Sequence, residues 1–411
     1  MAPIAVNELW TLLAALLTIQ LGIAILARVP LLARYSIPPA VVGGFVVAVA
    51  LTGSEAAGWK FSFATGARGA LLLVFFTTLG LSARLGKLRG GGVAVALIAL
   101  AILLLAVGQN AVGAGVARLF GQPPALAVFL GSAAFLGGHG TTTAWAEQEL
   151  ARAAGNAFEV GMACATLGLV CGGVLGSVVA TRLLARGARA PASAAVLPEV
   201  GEVALHDSAD AEDFGRWTSS DRWLRQMLVL GATTAVALLW QRWLAGRGVT
   251  VPPFLACLLT AVAVTNVADL LRHRVDMQTA DLLGTVALRL FLAMSLMSLD
   301  LIAVLRAAGL ILTAVALQCL LTTLIAVTLV RWAAAHGSTG AQAVREGAVA
   351  AGGFMGFGLG AMPVGLTVMQ RITLQHGAAP RAFLVVTLAA SLLQDVINAG
   401  AVQAALAWAA R

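Results

Sequence analysis

Residues 135–145 read FLGGHGTTTAW. Three glycines, a histidine and three threonines follow an apolar run in a chain that is 60% hydrophobic and only 11% charged. Soluble domains carry about 25% charged residues, so the chain reads as membrane-embedded and the stretch is expected at membrane depth. Glycine loosens the helical ladder there, and non-helical backbone survives in a bilayer only where protein buries it or it lines a water-filled cavity. The stretch is therefore expected to break a helix and to form half of a polar site.

A second cluster stands in AGGFMGFGLGAMPVG at 351–365, with Gly352, Gly353, Gly356, Gly358, Gly360 and Pro363. Broken helix ends offer carbonyls to a cation and amides to an anion, and the helix dipole aids both. Small residues that merely let helices approach are the competing reading of each cluster. Two clusters at matching places weaken that reading.

Apolar runs recur near 9–27, 36–53, 69–83, 93–117, 124–138, 157–181, 226–244, 249–268, 282–304, 307–332, 347–370 and 382–410. A spanning helix needs roughly 20 residues, so an all-α polytopic membrane protein is expected. The first run lacks a basic n-region and a cleavage site, and is expected to remain as a helix. Cys164, Cys171, Cys257 and Cys319 lie in apolar runs without zinc or disulfide spacing. The net charge of +8 is spread over short loops with no aromatic-basic face, which excludes nucleic acid as a partner. With the N-terminus outside, 17 of the 26 Lys and Arg fall on the inner side and eight on the outer, Arg289 being set aside. The positive-inside rule then puts both termini outside.

One hydrophilic interruption, 185–225, divides the chain into an N-terminal repeat at 1–184 and a C-terminal repeat at 226–411. SIPPAVVGG (36–44) matches TVPPFLACL (250–258), VFFTTLGLSARLGKL (74–88) matches LFLAMSLMSLDLIAVL (290–305), and the two glycine clusters match in the same order. Five crossings per half make the second half inverted, the signature of secondary transporters. The segments 124–150 and 345–371 must then enter and leave on one side, as re-entrant loops.

The polar residues inside these runs carry the expected chemistry. Gly137, Gly138, His139, Gly140, Thr141 and Thr142 form one substrate-binding tip; Gly356, Phe357, Gly358, Gly360, Ala361, Met362 and Pro363 form the other. His139 stands without Cys, Asp or Glu at ligand spacing, so a transition metal is not expected; it reads as a hydrogen-bond partner or a proton carrier. Asp395 and Asn398, three residues apart on one helix face beside Gln394, offer hard oxygens to Na⁺. Asn110, Thr166, Asn266 and Ser391 are further sodium ligands or interhelical glue, as are Gln109 and Gln318. Glu159 and Arg289 are read as interfacial, near helix ends. No nucleotide-binding motif is present, and no cofactor is expected beyond Na⁺ as coupling ion. A carrier is favoured over a channel with re-entrant selectivity loops, because two non-identical loops do not build a ring of carbonyls. An intramembrane hydrolase using His139 lacks a nucleophile motif, and H⁺ coupling through His139 or Asp395 is the alternative to Na⁺.

The segments YSIPPAVVGG (35–44), FFTTLGL (75–81), QNAVG (109–113), GGHGT (137–141), EVGMACATLGLVCGG (159–173), GFGLGAMP (356–363), MQRIT (369–373), FLVV (383–386) and DVINA (395–399) resemble those of the bacterial sodium/glutamate symporters. The resemblance covers nearly the whole chain outside the hydrophilic interruption. It implies a carrier of the bacterial inner membrane with two inverted five-helix repeats whose loops meet near the membrane centre. It also implies Na⁺-driven uptake of L-glutamate by a homodimer with a moving transport domain. Two residues depart from the family pattern: Thr142 stands where Gly is usual, and Met362 where Thr is usual.

Overall fold

The structure, a computed structural model, describes residues 4–29, 38–64, 66–86, 92–147, 154–187, 220–247, 251–271, 277–335, 338–360 and 362–409. Most of the expected hydrophilic interruption, residues 188–219, lies outside these, as does Ala361.

The described chain is almost wholly helical. Eight helices are long and apolar enough to cross a bilayer: α1 (Glu8–Arg28), α4 (Gly92–Leu119), α6 (Ala157–Gly187), α7 (Ser220–Ala245), α8 (Pro253–Leu270), α9 (Met277–Leu296), α11 (Ala308–Ala335) and α14 (Pro380–Ala409). Two shorter apolar helices, α2 (Pro39–Ala56) and α3 (Gly66–Leu81), stand between α1 and α4. The remainder are α5 (Gly138–Ala146), α10 (Leu301–Arg306), α12 (Gly340–Leu359) and α13 (Met362–His376). A two-stranded parallel ladder, β1 (Ile4–Val6) with β2 (Phe61–Phe63), ties the start of the chain to the segment before α3.

Local chemistry sets the helix starts. α2 and α8 each begin on the second proline of a Pro-Pro pair, whose missing amide is not needed at the first helical position. Glu8 caps α3 from another helix: its carboxylate accepts from the amides of Gly66 (2.9 Å) and Ala67 (3.1 Å).

The helices sort into two packed groups. One holds α1, α2, α3, α7, α8 and α9; the other holds α4, α6, α11, α12, α13, α14 and the stretch 124–146. The groups touch mainly through α5 against α9 and through α10. Within the second group α6 lies along α12. Side chains added at Gly168, Gly172 and Gly176, four residues apart, would come 2.2, 3.0 and 2.7 Å from backbone carbonyls of α12. This is the small-residue ridge that lets membrane helices approach closely.

Two expectations need correction. The apolar run 124–138 is no helix: a short 3₁₀ turn (Pro124–Val128) leads into irregular turns up to Gly137, all buried from Ala125 to Leu136. The run GHGTTTAWA, read as the break, is itself the regular helix α5. Its threonines keep the ladder satisfied, Thr142 Oγ1 donating to Gly138 O (2.8 Å) and Thr143 Oγ1 to His139 O (2.9 Å). The break thus lies upstream of the glycine cluster. Arg289 also differs from expectation, since it sits in the interior of α9 and not at its end, whereas Glu159 lies in the first turn of α6.

Candidate functional site

The irregular stretch 129–137 needs partners for its backbone, and amide side chains from three helices supply them. Asn110 Oδ1 on α4 accepts from Ser132 N at 3.0 Å. Gln318 on α11 donates both amide hydrogens, to Leu130 O and to the α4 carbonyl of Gln109, each at 2.8 Å. Gln394 on α14 donates to Leu136 O at 2.6 Å. Local turn bonds pair most of the amides of this stretch, and these side chains supply partners for Leu130 O, Ser132 N and Leu136 O, so an apolar run stays non-helical in a buried place.

The second interruption is sharper. α12 runs unbroken to Leu359, Gly360 donates its amide back to Gly356 O, and α13 starts at Met362. One of the expected residues, Gly356, forms the crossing between α12 and α13 with Gly365: a Cβ on Gly356 would lie 2.5 Å from Gly365 Cα. Gln109 Nε2 reaches from α4 to Gly358 O at 2.8 Å. Phe357 is buried and stacks edge-on against Phe354, centroids 4.9 Å apart. Met362 is half-buried against the core, and Pro363 follows it in the first turn of α13.

The two interruptions meet. Gly138 has φ +68°, a conformation that L side chains rarely adopt, and a Cβ there would lie 2.9 Å from Gly360 O. The N-terminus of α5, with amides lacking intrahelical acceptors, therefore faces the C-terminus of α12 with its surplus carbonyls. On the other flank of Gly360, a Cβ would lie 2.7 Å from Leu169 Cα of α6. The backbones are close enough that glycine is required on both sides of the contact.

α14 brings its polar face to the same place. Gln394 and Asn398, one turn apart, are buried, and Asn398 Nδ2 lies 2.5 Å from the position of a Cβ on Gly137. Both polar atoms of Asn398, and Oε1 of Gln394, lack a hydrogen-bond partner in the protein. Asp395 is half-buried beside them, and Ser391 lies one turn earlier with its hydroxyl 3.5 Å from Leu388 O. Buried amides without partners are unfavourable by about 1–3 kcal/mol each, so this corner is suited to an ion or a polar solute. Among the described residues no group of three His, Cys, Asp or Glu could hold a transition metal.

His139, in the first turn of α5, has Nε2 3.0 Å from Thr166 Oγ1 on α6. Thr166 Oγ1 also lies 2.8 Å from Met162 O. Thr141 and Gly140 complete that first turn; Gly140 lies against Phe75 and Leu288 of the other helix group. Thr142 points away from the meeting point, its methyl in the space left by Gly161 on α6.

Asn266 stands apart from these residues. Its amide donates to Ala83 O (2.8 Å) and Val262 O (2.7 Å) and accepts from Leu85 N (2.9 Å), closing the end of α3. Sequence reasoning passed over Glu346 and Ser132. Buried Glu346 on α12 accepts from Ala382 N (2.7 Å) at the start of α14 and from Gln342 (2.6 Å). The signal was present: one acid at the head of a long glycine- and alanine-rich helix, and one hydroxyl inside an apolar run.

Comparison with known proteins agrees with this geometry. The model of the family described as Sodium/glutamate symporter matches residues 4–378. A relative from Escherichia coli K12 named Sodium/glutamate symporter is 36% identical over 396 residues, covering 96% of each chain. Its namesake from Shigella flexneri has the same identity and coverage. Another of that name, from Haemophilus influenzae, is 33% identical over 407 residues, 97% of this chain and 96% of its own. A match over nearly the full length, on a helical membrane chain with two interrupted segments in contact, makes this protein a member of the sodium/glutamate symporter family.

Proposed function

We propose that the chain is a Na⁺-coupled symporter of L-glutamate in the plasma membrane, working by alternating access. The observation that carries this reading is the contact of Gly138 with Gly360, beside the unpartnered amide of Asn398. Two helix N-termini, those of α5 and α13, direct amides toward that point and suit a carboxylate. The carbonyl end of α12, with Gln394, Asp395 and Asn398, suits a hard cation. The substrate tips are residues 137–141 and 356–363; Thr142, turned toward α6, is left to packing. The sodium ligands are drawn from Gln394, Asp395, Asn398, Asn110, Ser391 and Thr166; Asn266 is left to its structural role. In this reading the halves 1–184 and 226–411 are inverted repeats of five crossings, each with one re-entrant segment. The segment 185–225 is cytoplasmic, the termini lie outside, and two copies associate.

Coupling follows from shared geometry. A cation at the carbonyl end and an anion at the amide end each favour the arrangement the other needs, so each raises the other's affinity. Net inward movement of one positive charge gains about 2.3 kcal/mol per 100 mV, so Na⁺ in excess of substrate charge lets voltage drive uptake.

Uptake of radiolabelled L-glutamate into proteoliposomes, with Na⁺ and pH gradients imposed separately, tests the reading. Saturable uptake that needs the Na⁺ gradient is expected, with Na⁺ dependence lost in Asp395→Asn. Uptake driven by the pH gradient alone would replace Na⁺ with H⁺, and unsaturated flux would indicate a channel.

A further inference from the structure

Arg289 has no role in the site as described so far. It lies within α9, about 18 Å of helix from Met277 and about 10 Å from Leu296. An arginine this deep in a spanning helix is costly unless it faces protein or water. It is exposed, and no ion pair among the described residues reaches it.

Its face of α9 carries a line of polar residues flanked by exposed Leu282 and Val286. Asp281, Thr285 and Arg289 recur every fourth residue, so they form one polar stripe along the helix, and all three are exposed. Ala280, Gly284, Ala287 and Phe291 form the buried side. The foot of the stripe is held polar, since Ser82 Oγ donates to Asp281 Oδ1 at 2.6 Å. At the level of Arg289 the helix lies against the first turn of α5: Leu288 Cδ1 is 3.5 Å from the position of a Cβ on Gly140. Arg289 is the next residue, about 100° round the helix from Leu288, and its long flexible stem gives the guanidinium the reach to turn toward the tip of the first interrupted segment. That tip contains no cation of its own.

We propose that Arg289 is a specificity-determining residue that pairs with the side-chain carboxylate of an anionic amino acid, while the helix-end amides of α5 and α13 hold the other carboxylate. The proposal rests on the symport reading for the identity of the solute. A planar guanidinium matches a carboxylate through two parallel hydrogen bonds, whereas a neutral side-chain amide offers it only one acceptor. The polar stripe is then one wall of the solute path between the two helix groups.

Two measurements test this. In proteoliposomes, unlabelled L-glutamate and L-glutamine compete with labelled L-glutamate in the wild type, Arg289→Gln and Arg289→Lys. Arg289→Gln is expected to weaken L-glutamate about tenfold, the loss of one charge-assisted pair, while L-glutamine is unchanged and Arg289→Lys, which keeps the charge but not the planar fork, restores only part of the affinity. Independently of any solute, Arg289→Cys in membrane fragments open on both sides is expected to react with a charged, membrane-impermeant thiol reagent above the level of the wild-type chain. Absence of labelling places the residue in lipid or against a second copy and overturns the proposal. So does an equal loss for both competitors, which assigns Arg289 to folding. A wild type without Na⁺-dependent glutamate uptake overturns the symport reading instead, and the labelling result then decides the stripe alone.

Discussion

The two interrupted segments reach the same point by different routes. The first arrives as irregular backbone, 129–137, and leaves as the short helix α5; the second arrives as the full helix α12, which ends at Leu359, and leaves as α13 from Met362. The first pairs most of its amides with carbonyls a few residues back and takes one bond each from Asn110, Gln318 and Gln394, while the second takes one from Gln109. Their anchors differ as well. Glu147, just after α5, pairs at 3.0 Å with Arg68 on α3, across the boundary between the helix groups. Trp145 stacks on Phe254 of α8 at 5.1 Å across the same boundary. Glu346 ties α12 to α14 within one group. The first segment therefore touches both groups and is braced by three distant side chains, whereas the second takes one such brace and is carried by one group.

This contrast fails first at Gly138. Gly138→Ala forces a left-handed residue and a 2.9 Å approach to Gly360 O, together about 3 kcal/mol or roughly a hundredfold in function. Gly358→Ala in the second segment meets chiefly the tip of Leu105 at 2.8 Å, a flexible side chain that can move. Initial rates of Na⁺-driven uptake should fall far more for the first variant; equal losses would remove the asymmetry.

Next in size is Gln318→Leu. It leaves Leu130 O without a donor and takes a second donor from Gln109 O, which α4 already pairs, costing about 1–3 kcal/mol. Gln109→Leu orphans only Gly358 O, at about 1 kcal/mol. Thermal unfolding in detergent should rank the two in that order, and the reverse order would mean that the second segment is the more dependent one.

Glu346→Ala uncaps α14 and is expected to cost about 1–2 kcal/mol, with Glu346→Gln recovering part of it because an oxygen still accepts from Ala382 N. The unfolding midpoint checks this as well. The smallest effect belongs to Glu147→Gln. Its pair with Arg68 is partly exposed, so stability should change by at most about 0.5 kcal/mol. A change in uptake rate without a change in melting temperature would show that the pair acts on motion between the helix groups.

Much of the architecture was legible before any coordinates. Apolar runs of about 20 residues mark spanning helices because a bilayer demands internally satisfied backbone, and the Pro-Pro pairs marked the starts of α2 and α8. The glycine clusters marked where two segments meet, and Gln394 and Asn398 were legible as polar residues in a membrane helix. The apolar stretch 124–137 was not, since composition cannot distinguish a buried helix from irregular chain whose carbonyls are paired by glutamines hundreds of residues away. Nor could spacing separate Asn266, closed on the end of α3, from Asn398, left open at the meeting point.

By itself the sequence determined the class of molecule, its spanning helices and the residue types at its polar centre, because those follow from transfer of side chains and backbone between water and lipid. The tertiary structure decided which amide serves as a brace and which stays open, where the first segment leaves the helix, and that Arg289 stands deep within α9 on a polar stripe. Each of these depends on what a group finds opposite it, and that is a property of packing between distant parts of the chain.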